Sequence, residues 1–193
     1  MALCFELERL RREADAARDE LRALLAPLSE AQLCWRPAPG KWTLAEIATH
    51  LSLTAQLCLP AVDRALEEAE RRGWRSLGPF RLTPMGHFFV WYVEPPPAIR
   101  LPAPRTLVPP PECAAREALP EFLRWQEEVV DRMERASGYD LNRARFRSPF
   151  AKFVTMDLLA LFPVFTAHER RHIWQARNLL AQMPQALASE AGS

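Results

Sequence analysis

Two histidines near the carboxyl end of the chain stand four positions apart, in the stretch His168-Glu169-Arg170-Arg171-His172. On a helix, side chains with this spacing lie one turn apart on the same face, so both imidazoles can reach one metal ion. The same residues match the HExxH pattern of zinc peptidases, in which the glutamate is the general base. The spacing therefore leaves two hypotheses: a peptidase helix, or two ligands of a different metal site whose third histidine lies elsewhere.

A third histidine, His50, falls on the inward face of another predicted helix, on a stripe shared with Ile47, Thr54, Leu57 and Ala61. His168 and His172 also lie on the core-facing stripe of their own helix. A single buried histidine is usually a hydrogen-bonded core residue. Burying several imidazoles without partners costs free energy that a metal ion would offset. Three inward histidines on two helices therefore form a candidate metal cluster.

Four segments with the apolar periodicity of amphipathic helices position these residues. The predicted helices span about 3–25, 43–72, 114–137 and 155–183. Thr43 and Thr155 are the predicted N-caps of the second and fourth helices. The proline-rich stretch 74–111 predicts an extended loop, and 184–193 predicts a flexible tail. With no convincing set of strands, no repeat and no linker, we expect an all-α four-helix bundle that forms a single domain over 1–193.

Charge and composition argue against several classes of partner. The 25 basic and 24 acidic residues give a net charge of +1, which offers no global field to attract nucleic acid or an anionic membrane. The chain has neither a signal-peptide pattern nor an uncharged apolar run of about 18 residues. We therefore expect a soluble, cytoplasmic protein without a nucleic-acid or membrane partner. The widely spaced cysteines form no CxxC pair, and we expect all of them to be free thiols: Cys4, Cys34, Cys58 and Cys113.

Two separated motifs carry a family resemblance: LSEAQLCWRPAPGKWTLAEIATHL, which leads into a helix and ends in His-Leu, and the later HERRHIWQ. With the helix order over nearly the whole chain, they resemble the DinB-like (YfiT-like) superfamily of proposed metal-dependent bacterial enzymes. The resemblance implies an up-down-down-up bundle in which a metal, commonly nickel or zinc, is held by one histidine of the second helix and two of the fourth. In this sequence those positions are His50, His168 and His172.

The resemblance also implies a class of activity. Members with assigned activities include transferases and an isomerase that use low-molecular-weight thiols, and the resemblance is compatible with a homodimer. We therefore expect a divalent-metal-dependent enzyme that acts on a small-molecule substrate, with thiol transfer to small electrophiles as the leading hypothesis. The alternatives are a non-catalytic metal- or ligand-binding bundle and a metal-dependent hydrolase. The long proline-rich stretch and Pro163, five residues before His168, depart from a minimal member and could alter access to the metal.

A peptidase would need a third ligand after His172, but the sole acid there is Glu190, in the predicted flexible tail. We therefore interpret Glu169 as a carboxylate that is solvated or supports a ligand, and not as a general base. Gln175, one turn past His172, could orient a ligand, although we expect an ordinary packing role for it, and Trp42 is expected to anchor the loop before the second helix. The remaining candidates are a basic group that could receive an anionic thiol and a possible extra ligand: Arg143, Arg145, Arg147 and Lys152, and His87.

Overall fold

The computed structural model describes residues 3–97, 99, 102–111, 114–150 and 153–188. In chain order its elements are α1 (Phe5–Leu25), α2 (Glu30–Leu33), α3 (Leu44–Arg71), α4 (Pro84–Val93), α5 (Ala115–Arg135), the antiparallel strands β1 (Arg145–Arg147) and β2 (Thr155–Asp157), α6 (Leu158–Leu180) and α7 (Gln185–Ala188). The long helices α1, α3, α5 and α6 form the bundle, and the two strands form only a short hairpin. The predicted all-α fold class is confirmed.

Capping side chains define where the two histidine-bearing helices begin. The Thr43 hydroxyl accepts from the Glu46 amide at 3.1 Å, and the Glu46 carboxylate accepts from the Thr43 amide at 2.8 Å, which is the predicted capping box. Helix α6 begins later than predicted, because its N-cap is Asp157, whose carboxylate accepts from the Ala160 amide at 2.8 Å. Thr155, the predicted cap, is paired in β2 instead. A carboxylate at this position also interacts favourably with the positive end of the helix.

Contacts between helices fix the directions of the bundle. Between α1 and α6, Glu13 pairs with Arg170 and, further along both helices, Glu20 pairs with Arg177. Between α3 and α5, Asp63 pairs with Arg132, and further along Glu70 accepts from Tyr139, just past the end of α5. Because the residue numbers rise on both helices from one contact to the next, the two helices of each pair run parallel. The amino-terminal half of α3 packs against the carboxyl-terminal half of α6, and α1 and α5 are related in the same way, so the two pairs run in opposite directions. The result is the predicted up-down-down-up bundle.

The core consists of two apolar clusters with polar side chains between them. One cluster joins the carboxyl-terminal half of α3 to the amino-terminal half of α6 and contains Phe146 and Phe162. The other joins the opposite halves and contains Phe122. Between them lies what we call the polar layer, the buried side chains of His50, Thr54, Gln126, Thr166, Glu169 and His172. A buried polar group without a partner costs about 1–3 kcal/mol. Apolar packing therefore does not explain why these polar residues occur inside the bundle.

The segment 74–111 is not an extended loop throughout, because α4 forms within it. The Thr83 hydroxyl caps α4 by accepting from the Gly86 amide at 3.1 Å, and Pro84 occupies the first turn, where a missing N–H breaks no hydrogen bond. Gly86 lets α4 approach α6 closely, since a Cβ atom at this position would lie 3.0 Å from the Ala160 Cβ atom. Further along, the segment contains the 3-10 turn Arg105–Leu107.

The cysteines only partly follow the prediction. Cys4 and Cys58 are free, and burial raises the pKa of the Cys58 thiol to about 12. Cys34 is disulfide-bonded, so the prediction that every cysteine is a free thiol is wrong. Separation along the sequence did not reveal this, because disulfides depend on proximity in space. Cys113 lies outside the described residues.

Two further expectations concern the tail and the membrane. Gln185–Ala188 forms α7 within the segment predicted to be a flexible tail, and 189–193 lie outside the described residues. Among the described helices, none combines the length and the hydrophobicity needed to cross a bilayer.

Candidate metal centre

Three imidazoles meet at the polar layer: His50 of α3 and His172 of α6, which belong to it, and the half-buried His168 of α6 beside them. The Nε2 atom of His168 lies 3.3 Å from Nε2 of His50 and 3.1 Å from Nε2 of His172. One ring nitrogen from each histidine lies within 4.8 Å of the others, an arrangement that could hold a metal ion. The helical phase of the apolar stripes thus places together three side chains that are far apart in sequence.

The second ring nitrogen of two of these histidines faces an acceptor. His50 Nδ1 donates to the backbone carbonyl of Leu107 at 2.7 Å, and His172 Nδ1 donates to Gln175 Oε1 at 3.0 Å. Because these oxygens only accept, each Nδ1 carries the hydrogen, and Nε2 of the neutral ring keeps a lone pair. This contact fits the orienting role that the sequence left as the alternative to ordinary packing for Gln175. Both hydrogen bonds hold the rings with their Nε2 atoms toward a common point.

The count of lone pairs fits a bound cation. His168 Nε2 stands between the lone pairs of two other rings and can donate at most one hydrogen. At least one of the two short contacts between nitrogen atoms therefore has no hydrogen to stabilise it. A divalent ion would satisfy all three nitrogens, since the neutral imidazole is the form that binds metal. Three protein ligands are one fewer than a closed structural zinc site has, which is typical of catalytic sites.

Burial keeps all three rings uncharged. Desolvation lowers the pKa of His50, and the hydrogen bond to Leu107 only partly opposes this effect. Desolvation lowers the pKa of His168 to about 3, with smaller effects from the charges of His50 and Arg171. The pKa of His172 also lies well below its ordinary value, first because of burial and then because of repulsion from His168 and His50. Protons therefore compete little for these nitrogens at neutral pH.

Trp42 packs against two of the three rings. Its ring centroid lies 4.7 Å from that of His50 and 6.0 Å from that of His172. The loop that carries Trp42 is tied to the first turn of α3 by the ion pair between Arg36 and Glu46, with 2.7 Å between nitrogen and oxygen. Trp42 thus packs against the core, as predicted, and also contacts two of the histidines.

Glu169 is buried against α5 and is not solvated. The residue is only 3% exposed, and its Oε1 atom accepts from Gln126 Nε2 at 2.7 Å. Within the described part of the chain, Glu169 Oε2 and Gln126 Oε1 have no hydrogen-bond partner. Burial raises the pKa of Glu169 to about 7, against a smaller lowering by Gln126. A proton on Oε2 would turn this buried, unpaired acceptor into a donor.

The other predicted candidates do not join the cluster. The Arg143 guanidinium lies 4.8 Å from the ring centroid of Trp74, beyond the carboxyl end of α3 and roughly 35 Å along that helix from His50. Arg145 and Arg147 belong to β1, whose Phe146 packs into the apolar cluster at the same end. His87 is exposed on α4 and is not one of the grouped histidines. Lys152 lies outside the described residues.

Two hydrogen bonds in and beside the histidine cluster could not be predicted directly from the sequence. The Leu107 carbonyl left no signal, because every residue carries a backbone carbonyl. The pairing of Glu169 with Gln126 left a partial signal, since Gln126 interrupts the apolar face of its helix and a buried amide needs a partner.

Comparison with known proteins identifies the family. The family model of the DinB superfamily matches residues 13–176, a range that includes all three histidines. No curated protein and no solved structure matches the chain. The match covers most of the chain and agrees with the resemblance of the two sequence motifs, and the chain therefore belongs to the DinB superfamily.

Proposed function

We propose that this protein is a divalent-metal-dependent enzyme that transfers a low-molecular-weight thiol to a small electrophilic molecule. In this proposal His50, His168 and His172 hold the ion, which is nickel or zinc. The observation that carries it is the convergence of the three Nε2 atoms at 3.1 and 3.3 Å, in a set that could hold a metal ion. Membership of the DinB superfamily supports the same ligand set.

The bound ion would supply Lewis acidity, which lowers the pKa of a thiol that reaches it and favours the nucleophilic thiolate at neutral pH. Residues of the protein would keep the three ligands neutral and correctly oriented for the ion. Burial keeps the three imidazoles unprotonated, and Leu107 and Gln175 hold two of them in orientation. Trp42 packs against the rings of His50 and His172.

A peptidase mechanism has little support. A general base must reach the reacting water, but Glu169 is buried and its Oε1 atom is engaged by Gln126 on α5. The same burial weakens the case for a metal-dependent hydrolase that would use Glu169.

A second candidate is a non-catalytic bundle that binds a metal ion or a ligand. One observation favours it: the acidic side chain next to the histidines in sequence, Glu169, is buried and hydrogen-bonded to Gln126, so it is not placed for proton transfer at the three rings. Thiol transfer needs no such carboxylate if a thiol already binds as thiolate, so this observation weakens hydrolysis more than it weakens thiol transfer.

Two measurements test the proposal. Elemental analysis of protein purified without chelator or added metal should find about one nickel or zinc ion per chain, as expected for a site of this type. The loaded protein should then accelerate the loss of a small thiol only when an electrophile such as monobromobimane is present, and a chelator should abolish the acceleration. Bound metal without any acceleration would favour the non-catalytic bundle. Absence of metal would overturn the enzyme proposal and leave only a bundle that binds another ligand.

We also propose that the protein acts in the cytoplasm as a homodimer of single-domain chains. Light scattering on the purified protein tests the dimer, since the two states differ twofold in mass. A monomer at all concentrations would contradict it.

A further inference from the structure

Two adjacent arginines lie between the candidate ligands on α6, and they are held very differently. Arg170 is paired with carboxylates on both sides. Its Nε and Nη2 atoms donate to Glu94 at 2.7 and 2.8 Å, and its Nη1 atom lies 3.2 Å from a carboxylate oxygen of Glu13. The charge of Arg170 is thus neutralised within the fold.

Arg171 forms no ion pair with any acidic side chain that the structure describes. Its guanidinium makes two long contacts of 3.4 Å with backbone carbonyls, those of Tyr92 and Ile99 in the segment 74–111. Carbonyl groups carry no net charge, so the positive charge of Arg171 remains available to an anion.

The position of Arg171 places that charge beside the metal centre. It follows His168 by three residues and precedes His172 by one, so it lies on the flank of α6 next to the histidine face. The guanidinium is close enough to both rings to contribute to the low pKa of His168 and of His172. The residue is only half-buried, so a ligand from solvent can reach it.

A planar guanidinium recognises a carboxylate through two parallel N–H···O bonds, and such charge-assisted bonds are stronger than bonds to neutral carbonyls. We propose that Arg171 is a specificity-determining residue that binds a carboxylate group of the small molecule that enters the three-histidine centre. The ligand class is a small thiol that carries a carboxylate. This inference rests on the proposed function for its site, and Arg171 would exchange its two long carbonyl contacts for a paired anion.

The test compares ligands that differ in one group on the cobalt-loaded protein, in which a bound thiolate gives a charge-transfer absorption band. Mercaptoacetate and 2-mercaptoethanol are similar in size, but only the first carries a carboxylate. We expect mercaptoacetate to bind about tenfold more tightly or better, the range of one charge-assisted hydrogen bond. Arg171→Gln should remove this preference and leave the dissociation constant for 2-mercaptoethanol unchanged, and Arg171→Lys should keep part of the preference.

Arg170→Gln is the matched control. It removes a neighbouring charge and three contacts to carboxylates, so it should lower thermal stability without changing the preference between the two thiols. A merely structural role for Arg171 would give the same pattern in Arg171→Gln, with reduced stability and an intact preference, and would overturn the inference.

Acetate separates this inference from the proposed function. If neither thiol gives the thiolate band, but mercaptoacetate and acetate both perturb the cobalt spectrum in the native protein and not in Arg171→Gln, thiol transfer is overturned and carboxylate recognition by Arg171 is supported. If both thiols bind equally well, Arg171 has no such role while the thiol proposal stands. If none of the three ligands binds, both ideas are overturned.

Discussion

The four-helix bundle and the proline-rich segment 74–111 contribute to the candidate metal centre in different ways. The bundle supplies side chains, since all three imidazoles lie on α3 and α6. The segment supplies backbone: the carbonyl of Leu107 faces His50, and two further carbonyls face Arg171. A helix fixes the spacing of its side chains but uses most of its own carbonyls, whereas an irregular segment leaves carbonyls free to accept. The candidate ligands thus come from the helices of the bundle, and the orientation of one of them, His50, comes from the segment 74–111.

The largest effect should come from removing a ligand in the bundle. His50→Ala, His168→Ala or His172→Ala should each reduce the metal content to below about one tenth of an ion per chain, because two imidazoles bind a divalent ion far more weakly than three. Elemental analysis after gel filtration measures this loss. His87→Ala, on exposed α4, is the control and should retain the metal. Retention of metal by any two of the three ligand variants would contradict the assignment of these histidines as ligands.

The second effect also lies in the bundle and concerns the metal-free protein. Glu169→Gln should raise the free energy of unfolding at pH 8 by about 3 kcal/mol, because an amide replaces a buried carboxyl group that must ionise at that pH. The amide nitrogen can also donate to Gln126 Oε1, which now has no described partner. Denaturant unfolding at a series of pH values measures the difference.

The direction of the pH dependence follows from the raised pKa of Glu169. Its folded-state pKa is about 7 and its unfolded value is about 4.3, so the folded state binds the proton more tightly. The favourable contribution of Glu169 is complete below about pH 4 and is lost as the pH rises toward 7. The advantage of Glu169→Gln should therefore grow over this interval and stay constant above it. The histidines titrate in both proteins and cancel in the comparison. Exposed Glu127→Gln is the control and should follow the native profile, and a flat difference for Glu169→Gln would contradict the prediction.

A smaller effect is expected for the one orienting contact that the bundle supplies itself. Gln175→Leu removes the acceptor from His172 Nδ1, so the ring can rotate and present the wrong nitrogen. Metal affinity should fall by about ten- to a hundredfold. Gln175→Glu keeps an acceptor and should retain the native affinity or exceed it. Competition with a chromophoric chelator measures both variants, and equal affinities for the native protein and Gln175→Leu would rule out the orienting role.

The smallest effect should come from the proline-rich segment. Leu107→Ala removes a buried side chain that anchors the 3-10 turn, so the Leu107 carbonyl is held less firmly against His50. Because the carbonyl itself remains, metal affinity should fall only a few-fold, less than on loss of an orienting group. Val108→Ala, at the half-exposed next residue, is the control. A loss as large as that of a ligand variant would show that the segment does more than orient one ring.

The parts of the fold that follow apolar periodicity could be predicted from the sequence. The stripes through His50 and through His168 and His172 determine which way those side chains face, and Thr43 with Glu46 marks the start of α3. These features are local, so one sequence is enough to find them. That the three histidines bind a metal stays a prediction.

The parts that depend on tertiary contacts could not be predicted in the same way. Helix α4 was not predicted because the segment around it is rich in proline, although Thr83 followed by Pro84 is a signal for the start of a helix. Asp157 replaced Thr155 as the cap of α6 because β2 pairs with β1 and delays the helix. The pairing of Glu169 with Gln126 depends on how the bundle places α5 opposite α6, which the spacing of HExxH does not determine.

The polar layer separates the two apolar clusters of the bundle and so affects how firmly they are held together. Apolar contact is continuous within each of the two clusters but is interrupted at the level where the histidines meet. A cation held there by both α3 and α6 would link the two helices at the level where apolar packing is weakest. Resistance of the whole chain to heat and to proteases would then vary with the supply of metal, so the lifetime of the protein would depend on its loading.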